Sequence, residues 1–308
     1  MSIHEIKEQL GERLLHNEPM AKYTAARLGG SAEWLYVAKE PDRTEDLSLV
    51  LMHAWQADIP VRVIGGGANI LVSDKGISGL VIVNRINEVR FGDWHDGRSV
   101  SATSGTSLTV LANKCQSQGY TGLEWAISVP GTVGGAIVNN AGAHGGDMAG
   151  SVADVVVLES GIGPRLYACS ELDYGYRHST LKARTDGHFL VLMATFFLKQ
   201  DDPAVIKTRM DDFRTHRKET QPTGASLGSI FKNPEGHYAG KLIDDAGLKG
   251  HRIGGAMVSD VHGNFFMNDM GKATASDYRA LIEHVQAVVE TQTGILLQPE
   301  IEFVGNWD

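Results

Sequence analysis

Three residues stand in company that would suit chemistry: Ser229, Arg177 and Glu300. Ser229 lies in the run SLGSIFKNP (226–234), preceded by a glycine and followed closely by Lys232, Asn233 and a proline. A nucleophilic serine would need a G-x-S-x-G elbow and a base to take its proton. Neither is in this run, so any chemistry here is something other than attack on a carbonyl. Arg177, in YGYRHS (174–179), has the fork geometry to grip a carboxylate through two hydrogen bonds; a surface charge at a strand end is the plainer reading. Glu300, in LLQPEIEFVG, sits in an otherwise apolar tail, where a carboxylate is costly unless it is paired, functional or turned outward. His144 and Asp147 are too few to hold a metal, and none is expected. Arg214, His216, Arg217 and Lys218 could meet phosphates, or form the solvated face of a helix.

Glycines form the second pattern. VIGGGAN places Gly65, Gly66 and Gly67 after a strand-like run, but Ile70 takes the third position of a dinucleotide fingerprint and β-like ILVSD follows where a helix should open. No Gly-Lys-Ser/Thr closes the loop as a Walker motif would. Residues 128–146, SVPGTVGGAIVNNAGAHGG, carry a glycine density that an ordinary core strand would avoid, because each glycine costs conformational entropy. Such density suits backbone N–H groups that approach a large anionic ligand. Two such loops suggest a bulky phosphate-bearing cofactor lying between two small subdomains. A turn-rich β domain without a ligand is the alternative.

The elements that must position these groups are legible from spacing. With 308 residues the chain has room for two or three domains, and its 42% hydrophobic and 21% charged composition is that of a globular protein. A net charge of −9 argues against nucleic-acid or membrane-surface partners, so an anionic ligand must be held by a local cluster. Cys115 and Cys169 form no metal spacing and read as free thiols in a reducing compartment. Ile3, Ile6, Leu10 and Leu14 share one helical face, and nothing there resembles a signal peptide. FLVLMATFFL (189–198) is far short of the ~20 residues a membrane span needs and reads as a buried strand. A cytoplasmic location is expected. Leu47, Val50, Leu51 and Ala54 predict a helix with Asp42 and Glu45 as its capping box, and VRVI a strand entering the glycines. One helix is expected at 107–118 within an otherwise β-rich region reaching residue 200. Ile206, Met210 and Phe213 predict a charged helix over 201–220 that opens a separate domain. A short helix near 239–246, strands over 253–268, a helix at 274–293 capped by Thr274, Asp277 and Gly294, and a final strand complete an α+β pattern.

Taken in order, TAARLGG (24–30), GGGANILVSD, VPGTVGGAIVNNAGAHGG, YRHS, Gln221-Pro222, GSIFKNP, AGKLIDDAGLKG and PEIEFVG (299–305) resemble the UDP-N-acetylenolpyruvoylglucosamine reductase family over nearly the whole chain. GSIFKNP and the PGTVGGA…NAGA pair are the most specific parts. The resemblance implies an α+β fold with a flavin-binding half of the vanillyl-alcohol-oxidase type in two subdomains (1–85 and 86–200). A substrate-binding domain (201–295) and a C-terminal strand (296–308) carrying Glu300 would follow. It implies noncovalent FAD, NADPH as hydride donor, and reduction of an enolpyruvyl ether of a UDP-sugar to UDP-N-acetylmuramate for peptidoglycan. Carried over, Arg177, Ser229 and Glu300 are the catalytic residues. Gly65, Gly66, Gly67, Ala68, Asn69, Pro130, Gly131, Val133, Gly134, Gly135, Asn140, Gly142 and Ala143 would hold the cofactor, and Tyr176, Lys232 and Asn233 would meet the substrate. On this reading Ser229 is a proton donor polarised by neighbours such as Lys232, which explains the missing base. A monomer is expected. Little sequence separates Arg177 from the strand at 189–198, as in the short-loop form that lacks the substrate-covering tyrosine loop, and Gln298 stands where the family commonly has a glutamate. An oxidase of the same fold, or a nucleotide-sugar binding protein without flavin, are the rival readings.

Overall fold

Hydrophobic spacing decides most of the helices, and the computed structural model, which describes residues 3–92 and 99–307, departs from that spacing at identifiable points. The first helix, Ile3–Leu10, buries Ile6 and Leu10 but stops there. Gly11 takes φ +56, so Leu14 begins the strand Leu14–Pro19 instead of extending the helix. The helix Thr44–Gln56 buries Leu47, Val50, Leu51 and Ala54 as expected. Its cap lies one residue later than expected: the Asp46 carboxylate accepts the Arg43 N–H at 2.8 Å, while Asp42 accepts the Tyr36 hydroxyl at 2.8 Å. A four-stranded sheet has the order Leu14–Pro19, Ser31–Ala38, Ile77–Asn84, Val61–Ile64, with the last pair parallel.

The chain divides into two compact units, and it crosses between them repeatedly. The first comprises Met1–Leu15, Leu35–Gly66 and Gly79–His216; the second comprises His16–Trp34, Gly67–Ser78 and Arg217–Asp308. A five-stranded antiparallel sheet runs through the first unit in the order Gly163–Ala168, Val152–Glu159, Phe189–Phe197, Ser99–Thr103, Val89–Phe91. The apolar run at 189–197 is its central strand, and the consecutive Leu190, Val191 and Leu192 are all buried, so both faces are covered and no polar alternation is seen. The helix Pro203–Thr220, expected to open a separate domain, buries Ile206 and Met210 in this unit's core.

In the second unit, strands Ser226–Ser229, Phe265–Asn268, Ala256–Val258 and Arg252–Ile253 form an antiparallel sheet, covered by Ala239–Asp245 and the long helix Ala275–Thr293. Thr274 caps that helix by accepting the Asp277 N–H at 3.0 Å, and Gly294 ends it at φ +72. Asp74, the aspartate of ILVSD, accepts the N–H groups of Ala275 and Ser276, each at 2.8 Å. Its carboxylate therefore satisfies orphan donors at a helix N-terminus and complements the helix dipole. The strand Glu302–Val304 runs parallel to Ile70–Val72. Among the described residues no helix is long and apolar enough to cross a membrane.

Candidate active site

The second unit holds Ser229 by its backbone. Gly228, at φ +74, takes a conformation that side chains rarely adopt, and Ser229 then pairs with Phe265 after an irregularity in the register. Beyond it, the chain is clamped by Asn264, which is 3% exposed. Its carbonyl accepts the Ile230 N–H at 2.9 Å, its side-chain oxygen accepts the Phe231 N–H at 2.9 Å, and its side-chain amide donates to the Phe231 carbonyl at 2.8 Å. Ile230 and Phe231 are fully buried, so the segment is fixed immediately after the serine. The tail lies along the same segment: Glu300 N–H donates to the Ile230 carbonyl at 2.7 Å, Lys232 N–H to the Gln298 carbonyl at 2.9 Å, and Phe231 bridges Pro299. Strand pairing thus sets the Glu300 backbone opposite Ile230, the residue next to Ser229, although 70 positions separate that pair in sequence (300 − 230). Glu300 lies just before the regular strand, not within it. The Asn69 amide donates to the Glu300 carbonyl at 3.2 Å and latches the tail.

Ser229 lines an open cleft of about 410 Å³ together with Asn233, Tyr238, Lys241, His262 and Asn264. That volume falls within the range of small-molecule sites. Among the described residues, none hydrogen-bonds the half-buried Ser229 hydroxyl, so its proton is not committed to a protein acceptor. Asn233 accepts the Ala239 N–H at 3.0 Å and starts the helix that forms one wall. Lys232 is half-buried and is not part of this lining. Burial, reinforced by the Lys249 ammonium, holds the His262 imidazole below its ordinary pKa. Its Nδ1 accepts the Asn264 N–H at 3.1 Å, so the neutral ring carries its proton on Nε2.

In the first unit the two glycine loops meet backbone to backbone. A Cβ on Gly65 would stand 2.1 Å from Thr132 Oγ1, and one on Gly66 would stand 3.0 Å from the Gly131 Cα. Gly131 has φ +122 with nothing within 4 Å of its missing Cβ, and Gly135, with a nearest neighbour at 3.8 Å, is exposed. Bare backbone beside open space is what a bulky phosphate-bearing group requires. Part of the segment is occupied internally: Val133 N–H donates to the Thr106 carbonyl at 2.9 Å and Gly134 N–H to that of Ser104 at 2.8 Å. The sequence expectation of a continuous glycine loop misses the helix Val133–Asn139, whose Val133, Ala136 and Ile137 are buried. Asn140 is buried, donates to the Gly175 carbonyl at 2.9 Å and accepts the Ala149 N–H at 3.0 Å; Gly142 and Ala143 form a small hairpin with Gly146 and Asp147. Pro130 is exposed at the start of the loop. In the second unit Gly67 takes φ +62, with its missing Cβ 2.1 Å from the Tyr23 carbonyl oxygen, and Ala68 follows half-buried.

Arg177 belongs to the first unit and sits in a tight turn where Gly175 and His178 exchange both backbone hydrogen bonds, at 3.2 and 3.1 Å. Its φ of +54 is unusual for a non-glycine residue, a strain more often found at functional sites. The half-buried guanidinium donates to the Gly142 carbonyl at 3.3 Å, and its carbon lies 5.2 Å from the ring centre of the exposed Tyr176. The turn therefore ties the arginine to the glycine-rich segment.

Comparison with known proteins agrees with this arrangement. Residues 220–304 match the family model for the UDP-N-acetylenolpyruvoylglucosamine reductase C-terminal domain, and residues 37–158 match an FAD binding domain. The chain is 43% identical to UDP-N-acetylenolpyruvoylglucosamine reductase from Synechococcus sp. (strain RCC307), covering 93% of this chain and 92% of that one. It is 40% identical to the enzyme of the same name from Caldanaerobacter subterraneus subsp. tengcongensis, with 98% of each chain covered. The chain belongs to the UDP-N-acetylenolpyruvoylglucosamine reductase family. The crystal structure of UDP-N-acetylenolpyruvylglucosamine reductase from Thermus caldophilus superposes with a TM-score of 0.75 at 34% identity, covering 92% of this chain and 97% of that one. This reductase is an FAD-dependent oxidoreductase with the α+β fold class expected from the sequence. The bare, glycine-only backbone of residues 65–66 and 131 fits the flavin cofactor. Among the described residues no cluster of three or more His, Cys, Asp or Glu side chains could hold a metal.

Sequence reasoning did not single out Asn264, His262 or Tyr238. Nothing near VHGNFF looks like a site motif, and these residues matter only because the Phe265–Asn268 strand pairs with Ser226–Ser229.

Proposed function

We propose that the protein reduces UDP-N-acetyl-3-O-(1-carboxyvinyl)-glucosamine to UDP-N-acetylmuramate with NADPH as reductant, in peptidoglycan synthesis. The observation that carries this reading is the Ser229 hydroxyl: backbone-fixed, half-buried, hydrogen-bonded to none of the described residues, and lining a cleft. FAD, held noncovalently by Gly65–Asn69, Pro130, Gly131, Val133–Gly135, Asn140, Gly142 and Ala143, supplies the hydride when bound.

The protein's own groups handle charge and the proton. Hydride addition at the distal vinyl carbon leaves negative charge spread into the substrate carboxylate. Arg177 stabilises that charge through its fork of N–H donors. Glu300, when protonated, donates a further hydrogen bond to the same carboxylate. Ser229 gives its proton to the carbon that bears the carboxylate; a carbanion is basic enough to take it from a neutral hydroxyl. Lys232 polarises this hydroxyl electrostatically, and Tyr176 and Asn233 contact the substrate. The protein works as a cytoplasmic monomer. An oxidase of the same fold would use a hydroxylated substrate and would have no role for an unpaired serine acid.

The purified protein is expected to be yellow and to release its flavin on acid precipitation. Under anaerobic conditions NADPH should bleach the flavin band and the enolpyruvyl substrate should restore it. A colourless protein, or a band that returns only with oxygen, would contradict the proposal.

A further inference from the structure

The cleft beside Ser229 has a feature that proton transfer does not use: two of its lining side chains are large, apolar and exposed. Tyr238 is 73% exposed and Val261 is 54% exposed, and both line the cleft with Lys241, Lys249 and His262. A tyrosine ring left this open forgoes most of the burial that makes aromatic residues stabilising. Yet its root is rigid. The Tyr238 carbonyl accepts the N–H groups of Lys241 at 3.0 Å and Leu242 at 3.1 Å in the first turn of the helix Ala239–Asp245. Among the described residues no hydrogen bond or ring contact engages its side chain. A fixed backbone carrying an unengaged aromatic face is a platform, and the platform shares the cleft with polar groups.

The rest of the lining says what the platform would meet. His262 offers an Nε2–H when neutral, and two ammonium groups, Lys241 and Lys249, stand at the same cleft, each also paired with an aspartate (Asp245 and Asp244). Exposed pairs of this kind are weak enough to exchange partners. A ligand complementary to the whole set has a planar unsaturated ring at one end and anionic groups beside it, as a nucleoside diphosphate does. We propose that Tyr238 stacks on the nucleobase of the nucleotide-sugar substrate and so acts as a specificity-determining residue. The inference rests on the function proposed above, and it supplies a substrate-covering group in a chain that has no long insertion between Arg177 and Phe189.

The test is calorimetric titration of the flavin-loaded protein with UDP and, separately, with inorganic pyrophosphate, for wild type, Tyr238→Ala and Tyr238→Phe. Stacking predicts that alanine weakens UDP binding about 5- to 150-fold, the range of base–aromatic stacking, while phenylalanine stays within about 3-fold of wild type. Pyrophosphate affinity should be equal in all three, and KM for the enolpyruvyl substrate should rise in the alanine variant alone. The thermal midpoint should not move, since the ring is exposed. If wild type binds UDP and turns over but Tyr238→Ala is indistinguishable from it, stacking is wrong while the functional reading stands. Equal losses for UDP and pyrophosphate would mean that the substitution deforms the cleft, which also overturns the inference. Wild-type protein that neither binds UDP nor reduces the substrate would overturn both.

Discussion

The glycine loops of the first unit and the Ser229 strand of the second are both built for close approach, by opposite means. At Gly65, Gly66 and Gly131 the working surface is bare backbone, and a side chain would collide at 2.1 Å, crowd the facing backbone at 3.0 Å, or be strained by a φ of +122, respectively. At Ser229 and Glu300 the working groups are side chains, and the backbone is the scaffold: Asn264 clamps one flank and the tail hydrogen-bonds along the other. The first kind of site fails when an atom is added. The second fails when an atom is removed.

That contrast can be broken by substitution, and the largest expected effect is on Arg177. Arg177→Lys keeps the charge but loses the fork, and should slow reduction of the enolpyruvyl substrate by at least ~10²-fold, comparable to removing one donor from an oxyanion site. Single-turnover kinetics should find NADPH-driven flavin reduction little changed; equal damage to both half-reactions would show that Arg177 supports the flavin segment through its Gly142 contact instead. Next comes Gly65→Ala, where a methyl group would stand 2.1 Å from Thr132 Oγ1. The purified variant should have lost most of its flavin absorbance, whereas Gly135→Ala, whose Cβ would meet its nearest neighbour at an ordinary 3.8 Å, should fold normally. Full flavin content in Gly65→Ala would show that the two loops can part at no cost. The smallest effect belongs to Asn264→Ala, which leaves the buried Phe231 N–H and carbonyl without partners. Denaturant titration should find a loss of about 1–3 kcal/mol for each unsatisfied group, with flavin content unaltered. No loss would mean that the clamp is not what fixes the strand.

Elements carried by apolar spacing were legible in the sequence: Ile206 and Met210, Tyr278 through Val289, and the run at 189–197 appear where their periodicity puts them. Misreadings came where backbone conformation or tertiary pairing decides. Gly11 ends the first helix before Leu14 can join it. The helix Val133–Asn139 was hidden because Gly134 and Gly135 argue against helix by propensity, while burial of Val133, Ala136 and Ile137 overrides them. Gly134 itself is required by packing, since its Cβ would lie 2.8 Å from that of Ser104. Asp74 ends the β-like run ILVSD and carries no sequence signal of its own, yet its carboxylate caps the Ala275–Thr293 helix about two hundred residues away. His262 and Tyr238 could not be found from sequence, because only the folded sheet and the helix Ala239–Asp245 bring them to the cleft of Ser229.

Whether Ser229 is an acid is decided by stopped-flow comparison of the two half-reactions in Ser229→Ala. NADPH should reduce the bound flavin at close to the wild-type rate, while reoxidation by the enolpyruvyl substrate should slow by at least ~10²-fold, and Ser229→Cys should retain more activity than alanine because it keeps a donor in place. Reoxidation of Ser229→Ala by substrate at the wild-type rate would mean that the proton comes from another group, and the assignment would be wrong.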